Sequence, residues 1–242
     1  MRGAPAAALL LALVAGVAPA QVAAPAGIAV EGELIQGGLI RGHVPAGTTA
    51  LTLAGKPVAV APDGDFVAGF DRDAPPMETL SATQGDGRAV TRTLAIAPRG
   101  WDISRLPTLP KIPVPDAEFA RVRPGELARI AAARATPTDA AGWRQRFRWP
   151  VTGRISTLFG SQRIYANGEA GSYHSGIDIA RPTGTVVVAP ADGVVVLAAD
   201  HPFTLEGNLL MIDHGMGLSS AFLHLSRIDV RVGDHVRQGQ PI

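Results

Sequence analysis

Five of the six histidines in this 242-residue chain fall in its second half, and three of those have neighbours that could do chemistry. The first group is His174-Ser175-Gly176-Ile177-Asp178. An imidazole and a carboxylate share one zinc ion only if each donor atom comes within about 2.0–2.2 Å of it. In a straight strand, residues four apart stand ~13 Å from each other at about 3.3 Å per residue, too far for one ion. A turn at Ser175-Gly176 would close that gap, because glycine allows backbone angles that other residues avoid. Taken alone, the pair reads either as a metal site or as a plain His–Asp hydrogen bond. The second group is Met211-Ile212-Asp213-His214-Gly215, followed by Phe222-Leu223-His224-Leu225. Strand alternation puts Phe222 and His224 on one face and Leu223 and Leu225 on the other. By itself that describes a hydrogen-bonded histidine beside a core strand. The chain has no cysteine, so a disulfide framework, a thiol nucleophile and a cysteine zinc knuckle are all excluded. Histidines and carboxylates must carry any metal chemistry.

The elements that position these residues read as strands. Ile155 to Phe159, Val186 to Pro190, Gly193 to Ala199, Leu209 to His214 and Leu218 to Leu225 are short apolar runs separated by Gly, Pro and Asp-Gly. Helical periodicity is absent there, which predicts an all-β domain. Gly27 to Ile96 is also strand and turn: Gly37-Gly38 as a hairpin turn between Leu34-Ile35 and Leu39-Ile40, then turns at Pro62-Asp63-Gly64-Asp65 and Gly85-Asp86-Gly87. That spacing predicts a small β-sandwich with a binding or spacer role. Pro98 to Pro115 holds five prolines and reads as an extended linker. A short helix follows, with Pro124 in its first turn, Leu127, Ile130 and Ala131 on one face, and Pro137 as its stop.

Together the blocks of the second half resemble the lysostaphin-like, or LytM-type, zinc metallo-endopeptidases. The resemblance runs from Trp149 to the C-terminus. It rests on Gly153-Arg154-Ile155 with Phe159-Gly160, on Tyr173-His174-Ser175-Gly176-Ile177-Asp178-Ile179-Ala180, and on Pro190-Ala191-Asp192-Gly193-Val194-Val195. It continues through Gly207-Asn208, Ile212-Asp213-His214-Gly215, Phe222-Leu223-His224-Leu225 and Val232-Gly233-Asp234-His235-Val236 to Gly239-Gln240. The resemblance implies a curved antiparallel β-sheet carrying a Zn2+ site. It implies His174 and Asp178 as metal ligands, His224 as a catalytic residue, and the peptide stems and cross-links of bacterial peptidoglycan as substrate. Phe222 stands where the family often has tyrosine. His214 reads as structural, His201 fits no block, and His235 lies in a variable turn. The family pattern continues into a His-x-His that supplies a third ligand and a second catalytic histidine, and the sequence stops at Ile242 before it. Two readings follow: an active endopeptidase given incompletely, or a degenerate module that binds wall or regulates an amidase.

The first twenty residues read as a signal peptide, with Arg2, an uncharged apolar run from Ala6 to Val17, and small residues at Ala18-Pro19-Ala20. Its removal takes one cation from 22 and none of the 21 acids, so the charge falls from 22 − 21 = +1 to 21 − 21 = 0. A neutral chain gives no electrostatic reason to bind nucleic acid or an anionic membrane. No second apolar run follows, so no membrane span is expected, and the periplasm or cell envelope is the expected location. The expected divisions are a leader at 1–20, a small β domain at 21–97, a linker with a short helix at 98–142 and a peptidase-like domain at 143–242.

Overall fold

A computed structural model describes residues 27–109 and 117–242, so the stretch expected to be a leader and part of the proline-rich run lie outside the described residues. The chain begins with seven strands: β1 (Ala29–Gly32), β2 (Leu39–His43), β3 (Thr48–Leu53), β4 (Lys56–Val58), β5 (Asp65–Gly69), β6 (Met77–Gln84) and β7 (Ala89–Ala95). They form two antiparallel sheets, ordered β1-β2-β5 and β4-β3-β6-β7. Alternation explains the packing, since every second residue of a strand points to the same side. Ile40 and Phe66 from the first sheet meet Leu51, Leu80, Ala82 and Leu94 from the second in one dry core. The expected turns at Asp63-Gly64 and Asp86-Gly87 are present, with Gly64 and Gly87 both at positive φ. The expected hairpin turn at Gly37-Gly38 is present but wider: β1 and β2 pair antiparallel across 33–38, and Gly38 N–H donates to the Ile35 carbonyl. Leu34 and Gln36 exchange backbone hydrogen bonds with Ala97, so the chain that leaves β7 closes this loop.

That departing chain does not hang free. Strand β8 (Ile103–Arg105) runs parallel to β10 (Gln162–Ile164), and Leu106 N–H donates to the Ile164 carbonyl. The helix α1 (Ala117–Ala135) is longer than the sequence suggests, and Pro124 lies inside it rather than in its first turn. Proline there removes only the N–H that would have reached Ala120. The buried stripe is Glu126, Ile130 and Ala133; Leu127 is half exposed, which corrects the expected face.

The remaining strands are β9 (Arg154–Thr157), β11 (Asp178–Ala180), β12 (Gly193–Ala198), β13 (Asn208–Asp213), β14 (Ser219–Leu225) and β15 (His235–Val236). The last four form an antiparallel sheet in the order β14-β13-β12-β15, and β11 pairs with β9. Leu209, Leu210, Met211 and Ile212 of β13 are all buried because both faces of this sheet are covered. Ile130 and Ala133 of α1 meet Leu209 and Met211 on one face. Val230, Val236 and Ile242 meet Leu210 and Ile212 on the other. Val186 to Pro190 forms no strand; Val188 makes a single bridge to Pro241. The architecture is all-β with one helix, as the sequence pattern predicts.

Candidate functional site

His174 closes the end of a tight backbone exchange: its N–H donates to the Ser161 carbonyl, and its own carbonyl accepts from Gly160 N–H, both at 2.8 Å. Asp178 opens β11, opposite Thr157 of β9, at a register shift. Between them the chain bends at Gly176 without a left-handed φ. The bend brings His174 Nε2 to 3.1 Å from Asp178 Oδ1, where a straight strand would hold the residues far apart. Two donors at that separation can both lie within about 2.0–2.2 Å of one ion. His174 Nδ1 is buried and has no hydrogen-bond partner among the described residues. In kind, an imidazole and a carboxylate suit zinc. Among the described residues no third His, Cys, Asp or Glu joins them in a metal-holding group.

His224 departs from the alternation expected of its strand. Its φ is +58°, a left-handed conformation that costs a non-glycine residue of order 1–3 kcal/mol and tends to occur at functional sites. Its N–H donates to the Glu206 carbonyl at 2.8 Å. The twist breaks the two-residue period: Phe222 and Leu225 both pack on the core, while Leu223 and His224 face outward. The expected pairing of Leu223 with Leu225 on one face is therefore corrected. Gly207 makes room for the ring, since a Cβ there would stand 3.2 Å from His224 Nδ1.

The other histidines separate clearly. His214 is fully buried, with Nδ1 2.7 Å from the Asp192 carbonyl and Nε2 2.8 Å from Ser220 Oγ. Burial pushes its pKa below the ordinary imidazole value, so it is a neutral structural residue. His201 pairs with Asp200 and His43 with Asp65, while His235 is exposed on β15.

This arrangement can be set against known proteins. The sequence profile of peptidase family M23 matches residues 172–242, the stretch that holds His174, Asp178 and His224. Residues 172–242 are thus similar to peptidase family M23. The chain is 40% identical over 97 residues to the peptidoglycan DD-endopeptidase ShyA of Vibrio cholerae, a match covering 39% of this chain and 22% of that protein. It is 36% identical over 107 residues to the murein hydrolase activator NlpD of Escherichia coli, covering 44% of this chain and 25% of that protein. The matched region thus spans about a quarter or less of these relatives. A crystal structure from Pseudomonas aeruginosa, described as a peptidase M23, superposes with a TM-score of 0.59 at 27% identity over 86% of this chain and 80% of that one. Coverage that wide takes in residues outside the M23 segment as well.

Two groups around the M23 segment carry no sequence signal of their own. Arg123 on α1 forms a two-pronged ion pair with Glu206 at 2.6 and 2.7 Å and also reaches Glu126 at 3.0 Å. Glu126 accepts both the N–H and the hydroxyl of Thr204 at 2.6 Å. Burial works hardest against the Glu126 charge, yet Thr204 and Arg123 outweigh it and hold the carboxyl below its usual range. Arg123 does the same for Glu206 against a smaller burial effect. This triad fixes the 203–207 turn whose Glu206 carbonyl receives His224. The second group is Arg72 with Trp101, which meets the turn beside His174. Glu206 could have been suspected from its place before the Gly207-Asn208 block; nothing in the sequence singles out Arg72.

Proposed function

We propose that this chain is a zinc-dependent endopeptidase that hydrolyses peptide cross-links of bacterial peptidoglycan, working outside the cytoplasm in the periplasm or cell envelope. The observation that carries the reading is the 3.1 Å approach of His174 Nε2 to Asp178 Oδ1 inside the M23 segment. The naming of ShyA as a peptidoglycan DD-endopeptidase supports the substrate class. No helix among the described residues is long and apolar enough to cross a membrane. His174 and Asp178 would hold the ion. When bound, zinc supplies polarisation of a scissile carbonyl and a water acidified toward a pKa of about 7. His224, its backbone pinned by Glu206 and its ring facing outward, would hold or pass a proton at that water or at the departing amine. Exposed Ile155, Tyr173 and Ile177, on or beside the same strands, offer apolar surface to a peptide stem.

A second reading has its own support: the likeness to NlpD, named as a murein hydrolase activator, favours a regulator without turnover. One experiment separates the two. Isothermal titration with zinc, followed by release of soluble fragments from purified peptidoglycan, is run on a protein that includes the expected His-x-His and on its Asp178→Ala variant. The endopeptidase reading expects zinc uptake and fragment release that both vanish in the variant. Zinc-independent binding to wall without release would replace it with the regulator.

A further inference from the structure

We infer that Arg72, in the turn between β5 and β6, is a positioning residue for His174, so that the two halves of the chain build one site. The functional meaning rests on the zinc reading above; the structural claim stands without it. Arg72 is only 7% exposed, and an arginine taken that far from water needs its charge answered on every side. Its guanidinium carbon lies 5.1 Å from the Trp101 ring centre and 5.2 Å from that of Tyr173, the residue before His174. Its donors point three ways. Nε reaches the Gly160 carbonyl at 3.0 Å, one terminal nitrogen reaches Gln162 Oε1 at 3.2 Å, and the other reaches Asp73 Oδ1 at 2.6 Å.

Gly160 is the peptide through which this grip reaches His174. Its carbonyl is held by Arg72 and its N–H by the His174 carbonyl at 2.8 Å, while His174 N–H returns to Ser161. Only glycine fits this position, because φ is +83° and a Cβ would meet Trp101 at 2.1 Å. Phe159 completes the packing, edge-on to both Trp101 and Tyr173 at 5.7 and 6.1 Å. Two hydrogen bonds thus separate a sandwich side chain from the backbone of the proposed ligand. Elsewhere the halves are joined by a different contact, Arg144 to Asp63 and Asp65, which does not touch this turn. That contact supplies the control.

The test uses the full chain with Arg72→Met, Arg72→Lys and Arg144→Gln. Amide hydrogen exchange at Gly160 and His174 is read by NMR in metal-free protein, and zinc affinity by competition with a chromophoric chelator. Arg72→Met is expected to speed exchange at both amides about tenfold or more, the loss of a charged hydrogen bond. It should also weaken zinc about 10–100-fold, as losing an outer-shell partner does. Arg72→Lys should restore neither, since a single ammonium cannot address Gly160, Gln162 and both rings together. Arg144→Gln should leave both readouts unchanged. Unchanged exchange in Arg72→Met, full recovery in Arg72→Lys, or equal losses in Arg144→Gln would each overturn the inference. Should Arg72→Met fail to fold, Arg72→Lys carries the exchange test alone. If the unaltered protein binds no zinc, the failure belongs to the zinc reading, and the metal-free exchange data still decide for Arg72.

Discussion

Replacing Arg123 with methionine keeps the apolar stem of the side chain and removes the one cation of a buried triad. The side chains of Arg123, Glu126 and Glu206 are 15%, 4% and 14% exposed, so solvent cannot take over the lost partner. Breaking a buried ion pair by deleting one member costs roughly 3–5 kcal/mol. Here two carboxylates are left facing each other, with Glu126 supported by Thr204 alone, so a loss of about 3 kcal/mol at pH 7.5 is expected. At roughly 2–4 °C per kcal/mol for a chain of this size, the melting midpoint should fall by about 6–12 °C. The pH dependence has a definite sign. Both carboxyls titrate below their ordinary value in the folded protein, so their contribution is complete above the unfolded pKa near 4.5 and disappears as pH falls through the folded values. The gap between parent and variant should therefore narrow toward pH 4. Adding Glu206→Gln to Arg123→Met should recover part of the loss, because it removes a charge that has lost its partner. Urea unfolding followed by circular dichroism at pH 7.5 and 4 measures all three. A shift below about 1 kcal/mol at pH 7.5 would mean that the triad does not clamp the 203–207 turn, and the account of how His224 is held would go with it.

Three further outcomes are expected. In a protein that includes the expected His-x-His, Asp178→Ala should abolish zinc uptake, whereas His224→Ala should keep the metal and lose turnover, as a proton carrier outside the metal's ligands would; metal loss in His224→Ala, read by elemental analysis after gel filtration, would reverse the two roles. His214 has its pKa lowered by burial, so the folded form takes up its proton later than the unfolded form does; stability should be complete above about pH 6.5 and decline as pH falls below it. A His214→Gln variant with the same pH slope as the parent would assign that decline elsewhere. Gly160→Ala should cost more than about 2 kcal/mol by combining a left-handed backbone with a collision at Trp101, and a thermal midpoint within 2 °C of the parent would contradict the packing drawn there.

Much of this was legible from residue order, because strands and turns announce themselves locally. Leu80 and Ala82 alternate as a half-buried strand requires, and Gly64 and Gly87 sit where left-handed turns need them. The His174-x-x-x-Asp178 pair could be found by spacing, although only the fold shows that the bend at Gly176 closes it. The failures share a cause: they depend on partners distant in sequence. Leu34 and Ile35 read as the strand end of a tight hairpin, but Ala97, some sixty residues on, takes the Leu34 carbonyl and the Gln36 N–H and the loop widens to 33–38. Leu127 had the right period for the buried face of α1, but the Arg123–Glu206 pair turned the helix so that Glu126 points inward. No propensity scale rewards a buried glutamate. Alternation failed at His224 because one left-handed residue shifts everything after it to the other side of the strand. Arg72 was invisible because its rings and carbonyl come from Trp101, Tyr173 and Gly160.

The parallel pairing of β8 with β10 has a consequence for the order in which the molecule is made. The sandwich strands contact partners close in sequence and can close as soon as β7 has been synthesised, long before the M23 segment exists. Strand β10, the Phe159–Ser161 turn and His174 find their partners only when they return to a surface already waiting: β8 at a distance of 59 residues and Arg72 at 88. Chain order therefore lets the first half serve as a template on which the second half sets its turn. An assembly defect in Arg72 or Trp101 would show itself as a well-formed sandwich joined to an M23 segment with a loose His174 turn, a species distinguishable by limited proteolysis from either the native protein or the unfolded chain.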